Sequence, residues 1–131
     1  MPHRTITLTD RPPVKIDDDT WPLLAAVEDL EHDSQVEYQA SVKSRWFAGV
    51  RQHYDGRSIV YAVYRYETLH QGARGYSAKR GVLLPSGADI CAAVNDVCRD
   101  IAAAEHHADD ADRWPTLAAE CIADLPAEEL S

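Results

Sequence analysis

Arg45-Trp46-Phe47-Ala48-Gly49-Val50-Arg51-Gln52-His53-Tyr54-Asp55-Gly56-Arg57-Ser58-Ile59-Val60-Tyr61-Ala62-Val63-Tyr64-Arg65-Tyr66-Glu67 decides the fold. Asp-Gly between two β-rich runs is the strongest short-range hairpin signal, because a two-residue turn needs the positive φ that glycine adopts without steric penalty. The runs 45–53 and 58–67 are the two strands. With Asp55 and Gly56 as the loop, Trp46 faces Arg65, Ala48 faces Val63, Val50 faces Tyr61 and Gln52 faces Ile59, a mainly apolar and core-directed set. The opposite face pairs Arg45 with Tyr66, Phe47 with Tyr64, Gly49 with Ala62, Arg51 with Val60 and His53 with Ser58.

Outward from the hairpin, residues 36–43 alternate with period two, placing Val36, Tyr38, Ala40 and Val42 on one side. A further extended run covers 76–84, after a loop holding Gly72 and Gly75. Ser86 with Asp89 three residues on approximates a capping box, and Ile90, Val94, Val97, Ile101 and Ala104 recur at helical spacing to about His106. The expected class is α+β, a four-stranded antiparallel sheet followed by a long helix, with short helical appendages at both ends. One sheet face would pack on the helix and the other stay open to solvent.

Near the N-terminus, Thr5-Ile6-Thr7-Leu8 and Pro13-Val14-Lys15-Ile16 read as short extended pieces broken by Asp10-Arg11-Pro12-Pro13. Asp19-Thr20-Trp21-Pro22 then predicts a short helix through Leu30, with an oxygen-bearing cap and proline in the first turn. The tail echoes this segment. Asp112-Arg113-Trp114-Pro115-Thr116-Leu117-Ala118-Ala119 repeats Asp19-Thr20-Trp21-Pro22-Leu23-Leu24-Ala25-Ala26 at six of eight positions, as convergent helix-start chemistry or as a pair of equivalent docking elements. The chain divides into an N-terminal strand and short-helix extension (1–35), a β-β-β-β-α core (36–107) and an acidic helical tail (108–131).

Charge is unevenly distributed. Residues 41–81 carry eight basic side chains against two acidic ones, whereas 1–40 and 82–131 have net charges of −6 and −9 within a chain total of −9. Attraction acts over a Debye length, so a basic patch functions beside acidic flanks. On the outer face of the expected hairpin, aromatic rings and arginines interleave over small residues. That mixture suits single-stranded nucleic acid, with Phe47, Tyr64 and Tyr66 as stacking platforms and Lys43, Arg45, Arg51 and His53 beside the phosphates. Arg57 at the tip, Arg65 on the third strand, and Arg74, Lys79 and Arg80 around the third connection extend the basic track. Aromatics and arginines also occur on ordinary solvated strand faces, so composition alone leaves both readings standing.

The order of strands and helix, the Val50-Arg51-x-x-x-Asp55-Gly56-Arg57 hairpin, Tyr64-Arg65-Tyr66, and Lys79-Arg80-Gly81-Val82-Leu83-Leu84 leading into a helix resemble the positive-cofactor-four fold over about residues 36–104. The resemblance implies a homodimer that binds single-stranded DNA or RNA through a curved outer sheet, with Arg51, Arg57, Arg65, Lys79 and Arg80 as its basic strand residues. The family's usual aromatic in the C-terminal helix is absent between Ile90 and Ile101, and both acidic flanks fall outside the match. The tail is similar to uncharacterised proteins of bacterial mobile elements, which implies no mechanism.

Catalytic signals are weak. Glu105 to Asp112 offers metal-ligand types, but adjacent His106 and His107 point about 100° apart on a helix, and the reading favours a solvated helix end. No nucleophile elbow or phosphate loop is present, and the expectation is a binding protein without cofactor, metal or catalysis. Cys91, Cys98 and Cys121 form no Cys-x-x-Cys pair and suit a reducing compartment. With no apolar run long enough to span a bilayer and no leader-like N-terminus, a cytoplasmic location without membrane contact is expected. The alternative function is a protein-interaction module using the acidic flanks and two Trp-Pro helices.

Overall fold

A computed structural model describes residues 3–33, 42–68, 76–104 and 112–127 of the 131-residue chain. Among them lie β1 (His3–Ile6), β2 (Val14–Asp17), β3 (Leu23–Asp33), β4 (Val42–Gln52), β5 (Ser58–Thr68), β6 (Tyr76–Leu84), α1 (Ile90–Ala103) and α2 (Trp114–Asp124). Strands β3 to β6 form an antiparallel sheet in chain order, and β1 with β2 form a separate antiparallel pair. The α+β class and the four-stranded antiparallel sheet match the sequence expectation. Three of its strands are the expected ones, and the first is not.

The first strand of the sheet is β3, which occupies the segment expected as a helix over 19–30. Leucine, alanine and a first-turn proline favour helix locally, but tertiary pairing overrides so small a preference. β3 runs along the edge of β4 from Ala25 opposite Val50 to Asp33 opposite Val42. A register irregularity after Leu23 closes the start of the ladder, where Gln52 N–H donates to Pro22 O at 3.2 Å. The N-terminal part of the chain is therefore integral to the sheet. The strand expected at 36–43 falls largely outside the described residues, and the run expected from Arg45 begins at Val42.

Only one half of the Trp-Pro echo forms a helix. α2 opens at Trp114 with Pro115 in its first turn; its N-cap is Arg113, which makes no side-chain cap, so Asp112 does not serve in that role. α1 is capped by Asp89 rather than Ser86, the Asp89 carboxylate accepting from Ala92 N–H at 3.0 Å.

Both helices pack on one face of the sheet. Trp46, Val50, Val60 and Tyr64 meet Val94, Val97 and Ile101 of α1 and Trp114, Leu117 and Cys121 of α2. Arg113 fastens α2 to the sheet by donating to Asp29 Oδ2 at 2.7 Å, its guanidinium 4.8 Å from the Trp46 ring centroid. Asp124 accepts from Ala26 N–H at 3.0 Å and so covers part of the β3 edge.

The other face is not uniformly open, in contrast to the expectation. Ile6, Leu8 and Ile16 from the N-terminal hairpin cover Ile59 and Tyr61 in a second core. Thr9 N–H donates to Gly81 O at 2.8 Å, and a Cβ on Gly81 would lie 2.5 Å from Thr7 O. Glycine is needed there because the segment after β1 lies directly on β6.

Candidate nucleic-acid interface

The β4–β5 register differs by one residue from the expected one. The ladder runs from Gln52 opposite Ser58 to Val42 opposite Thr68, leaving residues 53–57 as the connection. His53 N–H donates to Arg57 O at 2.9 Å, Gly56 N–H donates to His53 O at 2.9 Å, and Gly56 takes φ +98°. The Asp55 carboxylate accepts from Arg57 N–H at 3.0 Å and from Arg57 Nε at 2.8 Å. A one-residue change reverses which face each β5 side chain occupies relative to β4.

The consequences for the site are specific. Trp46 stands opposite Tyr64, Ala48 opposite Ala62 and Val50 opposite Val60, on the helix-covered face. Tyr64 is therefore a core residue, fully buried, and Tyr66 is half-buried on that same side. Neither ring belongs to the outer surface. In exchange, Arg65 moves to the outer face, directly opposite Arg45, and both are exposed.

Arg51 keeps its outward register but lies only 4% exposed beneath the N-terminal hairpin. Its Nε donates to Tyr61 Oη at 3.1 Å, and its Nη1 donates to Trp21 O at 2.9 Å and to Asp18 Oδ1 at 3.3 Å. Asp18 also accepts from Arg4 Nε at 3.1 Å and Nη2 at 3.2 Å. Hydrogen bonding from Arg4, with the Arg51 and Arg4 charges, holds the Asp18 carboxyl below the usual range despite an opposing desolvation contribution. Arg51 is thus a structural cation that ties the N-terminal hairpin to the sheet.

The connection binds its own charges. Arg57 pairs with Asp55 and sits 5.2 Å from the Trp21 ring centroid, and the ring of His53 lies 4.9 Å from Trp21 and 4.1 Å from Tyr54. The Asp55 carboxyl is held below its usual range mainly by the backbone donor of Arg57. Tyr54, 89% exposed, is the most open large ring among the described residues.

What remains on the outer face is a groove bordering the N-terminal hairpin, with Ile6 in its lining. One part, about 210 Å³, is lined by Arg4, Glu28, Arg45, Phe47, Tyr61 and Arg65. The adjoining part, about 150 Å³, is lined by Thr5, Thr7, Arg65, Lys79 and Arg80, and it shares Arg4 and Tyr61 with the first. Lys79 stands opposite Val63 on the outer face. Arg80 starts from the helix-side register opposite Ala62, yet it lines the groove, with Nη1 donating to Lys79 O at 2.8 Å. Phe47 rests against Tyr61 at 5.3 Å between centroids, and its ring fills the space a Cβ on Gly49 would need, 2.8 Å away.

Of the residues expected at the site, Arg45, Phe47, Arg65, Lys79 and Arg80 converge on this groove, while Arg51, His53, Arg57, Tyr64 and Tyr66 do not line it. Lys43 stands opposite Glu67 in the ladder, and Arg74 lies outside the described residues, as do His106 and His107 of the metal-ligand run. Sequence reasoning missed Arg4 and Glu28. Glu28 lies in the segment whose composition predicts a helix, and Arg4 lies just before the first expected extended piece, Thr5–Leu8, yet belongs to β1.

Among the described residues, Arg45, Arg65 and Lys79 have no carboxylate within salt-bridge distance. Two arginines directly opposed on a sheet repel one another. An anion lying between them removes that repulsion, and planar guanidinium groups suit the paired oxygens of a phosphate. No helix among the described residues is long and apolar enough to cross a membrane. No family model matches the chain, and neither a curated protein nor a solved structure matches it.

Proposed function

We propose that the protein is a non-catalytic binding protein that holds single-stranded nucleic acid across the outer face of its sheet. The observation that carries this reading is the opposition of Arg45 and Arg65 on an exposed face, with Lys79 and Arg80 in the adjoining part of the same groove. Phosphates would bind along this line, and Phe47 would offer a single ring for stacking. With Tyr64 in the core, charge contributes more to binding than stacking does. The binding is therefore expected to be weakly sequence-dependent and strongly salt-dependent. The resemblance to positive-cofactor-four proteins supports the same reading and brings with it the proposal of a homodimer.

Titration of a labelled single strand of about 20 nucleotides at low salt tests the proposal. Arg45→Ala with Arg65→Ala is expected to weaken binding across all sequences, because both side chains are exposed and the fold does not depend on them. Unchanged affinity in that double variant would contradict it. The alternative built on acidic flanks and two Trp-Pro helices lacks one of the two helices, since Trp21-Pro22 leads into β3, and Trp114 of the other is fully buried.

A further inference from the structure

The groove is chemically asymmetric. Its β5–β6 part is lined by four basic residues, of which Arg4 is paired with Asp18, and by two threonines, with no acidic residue in the lining. Its β3–β4 part is walled by Phe47, Tyr61 and Val63 and contains one acid, Glu28. Glu28 stands directly opposite Phe47 in the β3–β4 ladder, so its side chain shares the outer face with that ring. Although the same lining includes Arg4, Arg45 and Arg65, no salt bridge joins Glu28 to any of them among the described residues.

An unpaired carboxylate in a groove otherwise suited to anions opposes a phosphate and favours a hydrogen-bond donor. Both parts are smaller than the ~300–1,000 Å³ of a pocket for a drug-sized ligand, matching fragments the size of one base and one phosphate. From these features we infer that the groove takes one nucleotide in a fixed direction, with the phosphate between Arg65 and Lys79 and the base against Phe47. The edge of that base meets Glu28, which accepts a hydrogen bond from an exocyclic amino group. Cytosine presents such a donor at N4; thymine and uracil present a carbonyl oxygen in its place, which the carboxylate repels. Glu28 is thus assigned as a specificity-determining residue that selects amino-bearing bases over thymine and uracil. The inference rests on the nucleic-acid reading.

The test compares fluorescein-labelled oligo-dC and oligo-dT of equal length, titrated with the full chain at mildly alkaline pH, where cytosine is unprotonated. The expected result is tighter binding of oligo-dC, by about tenfold or more, the scale of one hydrogen bond to a charged acceptor. Glu28→Ala removes a negative charge and so raises affinity for both strands; the decisive readout is therefore the ratio, which falls to about one if Glu28 reads the base. Glu28→Gln, which retains a carbonyl acceptor and the side-chain shape, keeps part of the preference and guards against a folding defect in the alanine variant. Equal, salt-sensitive binding of both oligomers by the wild type would overturn the selection by Glu28 and leave the nucleic-acid reading standing. A dC preference that survives in Glu28→Ala would overturn the assignment to this residue. Absence of binding to either oligomer would overturn both.

Discussion

Asp18 and Arg51 meet at 3.3 Å across 33 residues of sequence, joining the turn after β2 to the C-terminal end of β4. The same carboxylate holds Arg4 of β1, so one acid links the N-terminal hairpin to the sheet. The folded-state pKa of Asp18 is lowered from 3.8, so its contribution to stability is fully present above that value. It is lost as pH falls through the depressed folded-state value. Asp18→Asn should lower the urea midpoint at neutral pH and flatten the loss of stability on acidification. Asp55, also shifted downward, retains its own part of that loss.

Arg51 should behave as a structural residue. Arg51→Met leaves Tyr61 Oη, Trp21 O and Asp18 without this donor, and a cost of about 2–4 kcal/mol in unfolding free energy is expected. Arg45→Ala, at an exposed position, should change stability by no more than about 0.5 kcal/mol. Parallel denaturant titrations of the two variants check the distinction.

Phe47 and Tyr64, which a two-residue loop would put on one face, should separate by experiment. Tyr64→Ala opens a cavity under α1 and α2 and should cost about 3–5 kcal/mol. Phe47→Ala should leave a folded protein whose affinity for a single strand falls by about 1–3 kcal/mol, the scale of one stacked base. A folded Tyr64→Ala variant of near wild-type stability would contradict the register described above.

Gly81→Ala tests the docking of the N-terminal segment. The new methyl group would meet Thr7 O at 2.5 Å, and the expected penalty is about 1–3 kcal/mol. Faster hydrogen exchange at Thr9, whose amide donates to Gly81 O, would locate the effect.

The cysteines should respond unequally to a thiol reagent at neutral pH. Burial pushes the Cys98 thiol up to about 12, with neighbouring Cys121 adding to the shift, and burial followed by Asp124 pushes Cys121 up to about 11. Cys91 is exposed. Rapid labelling of one thiol in the native protein and of all three after denaturation is expected; three fast thiols in the native state would contradict the packing of α1 and α2.

Legibility in the sequence follows contrast between faces. α1 was readable because Val94, Val97 and Ile101 face a core while Asp96, Arg99 and Asp100 face water. β5 was harder to assign because both of its faces are covered: Val60, Ala62 and Tyr64 enter one core, and Ile59 and Tyr61 the other. Its apolar pattern therefore could not specify the register, which the five-residue connection sets. β3 was hidden for a different reason. Its Leu-Leu-Ala-Ala composition suits a helix, and only the adjacent β4 ladder makes it a strand. Arg45, Arg65 and Lys79 are legible as part of a basic stretch, whereas burial of Arg51 depends on a hairpin that no local pattern places over it.

The most direct test of the central claim is the slope of log binding constant against log salt concentration for a labelled single strand. Each phosphate neutralised contributes about −0.7, so engagement of Arg45, Arg65 and Lys79 predicts a slope near −2. Arg45→Ala with Arg65→Ala should reduce its magnitude by about 1.4. A slope unchanged by that double variant, or no binding even at low salt, would contradict the account.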